Sequence, residues 1–164
     1  MVKKIVGTGV LLVLALALQA GVKMYTLKSP DGKVKLEVTA GQGIAYSLFY
    51  DGRLLLKPSR IALHTDLPEA DHWENIRITG TKQRHVSETV QAPFYRVKEF
   101  GIDCNELELR LNNGFSLLMR AYNDGMAYRF VAGRKGEMTV VEERAEFNFA
   151  DDFEAYIPYS TNPK

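Results

Sequence analysis

Residues 107–131, LELRLNNGFSLLMRAYNDGMAYRFV, carry the pattern that decides the fold. Apolar and polar residues alternate over Leu107–Leu111, and a period of two is that of a β-strand with one buried face. Two sequences typical of turns interrupt the stretch, Asn112-Asn113-Gly114 and Asn123-Asp124-Gly125. The pattern therefore predicts three antiparallel strands in sequence, of which the second is Phe115–Tyr122 and the third Met126–Val131.

The second turn predicts a specific geometry. We expect Asn123-Asp124-Gly125 to be a three-residue hairpin loop in which Gly125 takes a positive φ, a conformation that costs glycine little. A valine at this position would then destabilise the fold.

The chain on either side repeats the alternation of apolar and polar residues. The sequence predicts further strands at Val34–Val38, Ile44–Tyr50, Arg53–Leu56, Glu74–Thr81 and Glu137–Phe149. Asp51-Gly52 is a two-residue hairpin signal because both residues tolerate a positive φ, and Pro58 is expected to end the strand that begins at Arg53. No segment of ten or more residues after residue 20 has helical spacing with caps. The pattern thus predicts an all-β fold, an antiparallel sandwich or barrel.

The first twenty residues have the parts of a secretory signal peptide. Lys3 and Lys4 precede the apolar run Ile5–Leu18, and Leu18-Gln19-Ala20 is the expected cleavage site. The alternative, an uncleaved transmembrane anchor, would need roughly 20 apolar residues, more than this run supplies. We therefore expect an exported, periplasmic protein that lacks a stable membrane anchor, with residues 21–164 as the mature domain.

Composition excludes several classes of function. Lys and Arg number 21 against 20 Asp and Glu, so the chain lacks the basic surplus of a general nucleic-acid binder. Cys104 is the single cysteine of the sequence, which excludes an intrachain disulfide and a multi-thiolate zinc site. A buried, inert thiol is the favoured interpretation of Cys104.

Three residues are candidates for carbohydrate binding: Trp73, Arg120 and Arg129. Trp73 lies in an irregular stretch, where an exposed indole can stack on a sugar ring; the favoured alternative is that it closes one end of the core. Arg120 and Arg129 flank the Asn123–Gly125 turn and can line a polar cleft, or they pair with nearby glutamates.

We predict no catalytic residue and no metal ligand. The three histidines lack metal-ligand spacing, and the acidic residues near residues 142–154 lack a regular calcium-binding loop. Glycosidic chemistry needs two carboxylates across a pocket, and the sequence alone pairs none.

Several segments in order resemble the N-terminal domain of glycoside hydrolase family 97. The first are Ser29-Pro30-Asp31-Gly32-Lys33, the run Tyr46–Gly52 and the run Lys57–Leu63. The most specific is Arg120–Phe130, RAYNDGMAYRF, which is similar to a hairpin of that family. Segments Glu143–Phe149 and Tyr156-Ile157-Pro158 continue the resemblance, which covers roughly residues 25–158.

The resemblance implies an exported α-glucosidase or α-galactosidase built from an N-terminal β-supersandwich of the galactose-mutarotase type, a catalytic (β/α)8 barrel and a small C-terminal β-domain. It also implies calcium in the active site of the full-length enzyme, none of it held by this chain alone. The partners implied are an α-linked oligosaccharide and the missing barrel in cis. We accordingly expect a chain that is inactive alone and that helps to shape the sugar pocket.

Two alternatives to this hypothesis stay open at this point. One is a free-standing exported β-sandwich that binds a carbohydrate or a protein partner. A weaker one is a sugar epimerase, whose chemistry requires a paired His and Glu in a pocket. The resemblance also leads us to expect an incomplete sandwich. Such a chain would expose apolar residues of its inner face and tend to self-associate.

Overall fold

The computed structural model describes residues 23–94, 96–154 and 156, and the predicted leader lies outside them. The described residues form nine β-strands: β1 Met24–Lys28, β2 Val34–Gly41, β3 Gly43–Tyr50, β4 Arg53–Thr65, β5 Ile78–Gln91, β6 Glu99–Leu111, β7 Phe115–Tyr122, β8 Gly125–Ala132 and β9 Val140–Ala145. Within this part of the chain, no helix is long and apolar enough to cross a membrane.

The strands form two antiparallel sheets that pack face to face. The first sheet has the order β1-β2-β3-β4-β9 and the second has the order β5-β6-β7-β8. Residues at alternate positions fill the space between them, with Leu36 and Tyr46 from the first sheet and Leu109, Leu117 and Met119 from the second. This arrangement confirms the predicted all-β sandwich, because the apolar face of each sheet packs against that of the other.

The hairpin between β3 and β4 confirms the turn prediction. Asp51 and Gly52 have φ values of 48° and 80°, and Tyr50 pairs directly with Arg53 across them. Two positive φ values in a two-residue loop match the twist of the flanking strands.

The prediction for Gly125 is wrong. Tyr122 pairs with Gly125, so the loop contains only Asn123 and Asp124, and Gly125 is the first residue of β8 and has no positive φ. The Oδ1 atom of Asn123 accepts the backbone N–H of Asp31 at 3.1 Å, which ties this turn to a loop of the other sheet. The geometry expected here occurs instead at the β6–β7 turn, where Gly114 has a φ of 85°.

We expect Gly114→Val to lower the free energy of unfolding by about 1 kcal/mol or more, because a β-branched residue is strained at positive φ. Gly125→Val is the matched control, since a Cβ at either position meets no atom within 4 Å. It should change stability little, because valine suits a strand. Urea denaturation measures both, and an equal loss for the two variants would contradict this assignment.

The prediction that Pro58 ends a strand is also wrong, because β4 continues through it to Thr65. Tyr46 pairs with Ser59 and Leu48 pairs with Leu56, so Lys57 and Pro58 together oppose a single residue of β3. This is a β-bulge, and a proline fits there because its missing N–H is not needed for the ladder.

Two further boundaries differ from the predicted ones. The strand predicted at Glu74–Thr81 begins only at Ile78 and runs on to Gln91, while Ile76 is buried in the preceding loop. The strand predicted at Glu137–Phe149 is limited to Val140–Ala145, followed by an isolated bridge between Leu56 and Phe149.

The apolar residues expected on the exposed inner face are covered only in part. The two sheets bury Leu107, Leu109, Leu111, Phe115, Leu117 and Met119 between them. Tyr128 and Phe130 are half-buried against this core. Phe147 and Phe149, by contrast, are mostly exposed. Exposed apolar residues also occur elsewhere in the fold, among them Met24, Phe94 and Val97.

Candidate functional site

The candidate site lies on the outer face of the second sheet, where four strands bring one row of residues together. Arg84 of β5 pairs with Glu106 of β6, and Glu106 pairs with Arg120 of β7. Arg120 in turn lies beside Ala127 of β8. Cross-strand partners share a face of the sheet, and this face is the outer one because Leu107 and Met119 point into the core.

Glu106 is the centre of this row. Its side chain is 5% exposed, and its two carboxylate oxygens accept hydrogen bonds from Arg84 Nε at 2.7 Å and Arg120 Nε at 2.8 Å. Burial by itself would raise the pKa of Glu106, but the hydrogen bonds and positive charges of the two arginines outweigh it and hold the pKa below its ordinary value. Glu106 is therefore ionised at neutral pH and bound on both oxygens.

Arg120 and Arg129 line one cleft of about 200 Å³, which we call the Arg129 cleft. Its other lining residues are Leu118, Tyr122, Ala127 and Tyr128. The hydrogen bond to Glu106 holds the guanidinium of Arg120 in place. This hydrogen bond, and then one with Tyr122, raise the pKa of Arg120. Arg129 is exposed and forms no ion pair with the residues that the structure describes. The structure thus brings together two of the three predicted site residues.

The cleft can hold one small polar group. Its volume is below the roughly 300–1,000 Å³ of common ligand pockets, so a single sugar ring is a better match than an oligosaccharide. The free guanidinium of Arg129 and the hydroxyl of Tyr122 supply donors for hydroxyl groups of a ligand.

A larger groove of about 540 Å³ lies near Glu106, but its polar groups already bind one another. Gln83 Nε2 donates to the backbone oxygen of Thr26 at 2.8 Å, and Asn105 Nδ2 donates to that of Lys28 at 2.9 Å. Because these donors already bind backbone oxygens of the other sheet, they are not free to bind a ligand. The Arg129 cleft is therefore the better candidate.

Trp73, the third predicted residue, lies in the core and away from this cleft. Trp73 is only 5% exposed. Its ring stacks on that of Phe115 and meets that of Phe130 edge to face. Its Nε1 donates to the backbone oxygen of Leu63 at 3.2 Å. Because its ring is covered by other aromatic rings, Trp73 contributes packing in this structure, the alternative that the sequence favoured.

The remaining reactive side chains are placed as follows. Cys104 is fully buried within β6, and burial raises the pKa of its thiol. His64 contacts Asp71 at 2.7 Å and His85 contacts Asp103 at 3.0 Å. Among the described residues, no three His, Cys, Asp or Glu side chains converge as metal ligands. The described side chains therefore form no ready-made site for the calcium ion that the family resemblance implies.

Sequence reasoning missed Arg84 and Glu106. Glu106 lies in a strand with the usual alternation of polar and apolar residues. The alternation with Leu107 predicts that Glu106 lies on the polar face, but it does not predict an ion cluster. Its two partners lie 22 and 14 residues away, so only the register of three strands reveals the cluster.

Comparisons with known proteins agree on one family. The family model for the glycosyl-hydrolase 97 N-terminal domain matches residues 27–164. A retaining α-galactosidase of Bacteroides thetaiotaomicron is 39% identical over 150 residues, which are 91% of this chain and 22% of that protein.

Solved structures have the same fold. A β-arabinopyranosidase gives a TM-score of 0.67 at 25% identity, over 76% of this chain and 21% of that one. A glycoside hydrolase family 97 enzyme from Pseudoalteromonas sp. strain K8, in complex with panose, gives 0.64 at 18% identity, over 77% and 20% of the two chains. The chain thus spans about a fifth of the proteins it matches.

Proposed function

Because the chain belongs to the family of glycosyl-hydrolase 97 N-terminal domains, we propose that it is the non-catalytic N-terminal domain of an enzyme that hydrolyses α-galactosides or α-glucosides. The domain packs beside the catalytic barrel in cis and helps to shape its sugar pocket. The observation that carries this proposal is the 39% identity to a retaining α-galactosidase over only 22% of that enzyme. Calcium and the catalytic carboxylates are assigned to the part of the enzyme outside this chain.

The state of the buried carboxylate supports a non-catalytic role. A glycosidase acid keeps a proton at neutral pH through a raised pKa and faces a second carboxylate across the scissile bond. Glu106 has a lowered pKa instead, and both of its oxygens are bound to arginines. It has neither a proton to give nor an open face for a substrate.

Export to the periplasm is part of the proposal and rests on the leader of residues 1–20.

We expect the full chain to release no nitrophenol from aryl α-galactosides or α-glucosides above a buffer blank, because the proposal assigns the catalytic carboxylates to the barrel outside this chain. The assay is absorbance of released nitrophenolate at high protein concentration. Turnover that survives repurification and disappears on a carboxylate-to-amide substitution in this chain would contradict the proposal.

Direct sugar contact at the Arg129 cleft is the finer part of the proposal. In an NMR titration with galactose, we expect shifts at the Arg120 and Arg129 side-chain Nε–H groups and at the β7–β8 backbone. Arg129→Gln should weaken binding about tenfold or more, the cost of one charge-assisted hydrogen bond.

Arg77→Gln is the matched control, because Arg77 is exposed on a loop outside the cleft. Equal weakening by both variants, or shifts confined to other surfaces, would show that this cleft does not bind the sugar.

A further inference from the structure

The hairpin of β5 and β6 extends beyond the rest of the second sheet. The two strands pair as far as Gln91 with Glu99, whereas β6 pairs with β7 only from Asn105 onward. The last five pairs, which begin at Ser87 with Asp103, therefore form a two-stranded arm. At about 3.3 Å per residue, the arm is about 16 Å long. Nine of its ten residues are exposed, so the arm carries its end away from the sandwich.

The loop at the end of this arm, residues 92–98, presents apolar side chains to solvent. Phe94 is 98% exposed, and Val97 is exposed as well. Directly behind the loop, Val90 and Phe100 face each other across the arm, and both are exposed. We call these four side chains the apolar tip. Apolar side chains gathered on an exposed surface with a polar rim mark a place that binds a protein or a membrane.

The same loop is positively charged. Residues 92–98 include Arg96 and Lys98 and no acidic residue, and both of these side chains are exposed. The next residue, Glu99, accepts a hydrogen bond from Gln91 Nε2 at 2.5 Å. This pair lies on the face of the arm opposite to the apolar tip, because side chains alternate along a strand. The apolar tip is thus accompanied by two cationic groups, while the neighbouring carboxylate is turned away from it.

An anionic lipid surface fits this combination of shape and charge better than a protein does. The tip is convex because it ends a two-stranded arm, so a protein partner would need a matching groove, whereas the acyl chains of a bilayer adapt to an inserted side chain. Basic residues beside inserted apolar residues are attracted to anionic lipids. A second copy of the chain is a poorer partner, because it would bring another Arg96 and another Lys98 to the same place.

We propose that the apolar tip inserts into the surface of a membrane that contains anionic phospholipids, while Arg96 and Lys98 bind the lipid phosphates. Phe94 and Val97 enter the boundary between headgroups and acyl chains, and Val90 and Phe100 follow at its rim. The attachment is reversible, because a few side chains of one loop enter the bilayer. It holds the domain at a membrane surface and involves strands other than β7 and β8, which carry the Arg129 cleft.

The test places a tryptophan at the tip of the full chain. Phe94→Trp reports on the tip, and Phe147→Trp is the matched control, because Phe147 is an exposed phenylalanine outside the arm. Both variants keep the buried Trp73 and the leader of residues 1–20, so lipid binding by the leader affects both equally. On addition of vesicles of mixed phosphatidylglycerol and phosphatidylcholine, the emission of Phe94→Trp should shift to the blue and be quenched by brominated lipids. The emission of Phe147→Trp should do neither.

Further variants in the Phe94→Trp background test the charge. Arg96→Gln and Lys98→Gln should each weaken vesicle binding about fivefold, the contribution of one basic residue near an anionic surface. Arg77→Gln, at an exposed arginine before the other end of β5, should leave binding unchanged. Soluble glycerol phosphate should cause no blue shift, which separates a lipid surface from a free phosphate. Absence of the shift, equal shifts at positions 94 and 147, or equally strong binding to vesicles of phosphatidylcholine alone would overturn the proposal.

Discussion

Leu117→Ala is expected to lower the free energy of unfolding by about 3 kcal/mol, within the range for a leucine removed from a well-packed core. Leu117 is fully buried in the middle of β7, between Leu109 of β6 and Phe130 of β8. Both neighbours are anchored in paired strands, so the core cannot collapse into the space that the side chain leaves. Urea denaturation followed by tryptophan fluorescence measures the loss, because Trp73 lies in the same core.

Leu118→Ala is the matched control one residue along the same strand. Leu118 points to the outer face and lines the Arg129 cleft, where its side chain is half-buried. We expect a loss of about 1 kcal/mol or less. If the two variants lost equal stability, the assignment of the inner and outer faces of the second sheet would be wrong.

Glu106→Gln is expected to cost about 2 kcal/mol, because it leaves two guanidinium groups facing each other without the carboxylate that binds both. The value lies below that for a fully buried ion pair, since Arg84 is 54% exposed and solvent screens its charge. Glu108→Gln is the control on the same strand and face. Glu108 accepts a hydrogen bond from Ser116 Oγ at 3.4 Å, so its loss should change stability little.

The pH dependence of stability follows from the same carboxylate. The pKa of Glu106 is lower in the folded chain than its ordinary value of 4.5, so the folded state binds fewer protons than the unfolded state. Its contribution is complete above the unfolded pKa and is lost as the pH falls through the lowered folded pKa. Glu106→Gln should therefore flatten the acid limb of the stability curve, and an unchanged acid limb would exclude this role.

Much of the fold could be predicted because the signals are local. The period of two in residues 107–122 fixes which side chains share a face, and β7 spans the predicted Phe115–Tyr122. Asp51-Gly52 specifies its own turn, since the positive φ values arise within those two residues. The prediction of family 97 resemblance is likewise confirmed by the match over residues 27–164.

The failures concern features that depend on a neighbouring strand. Asn123-Asp124-Gly125 fits either a two-residue or a three-residue loop, and the ladder between β7 and β8 selects the shorter one. Pro58 ends a strand by local rules, yet the extra residue of a bulge opposite β3 accommodates it. In both cases the pairing partner, and not the segment itself, decides the backbone conformation.

The candidate site divides in the same way. That Arg120 and Arg129 are near each other follows from their positions on either side of one short turn, which the local pattern alone predicts. That Glu106 and Arg84 complete the row, while Trp73 is covered by Phe115 and Phe130, was decided only by tertiary structure. Side-chain alternation is encoded within each strand, whereas strand register and sheet packing depend on contacts between residues far apart in the chain, which no local pattern specifies.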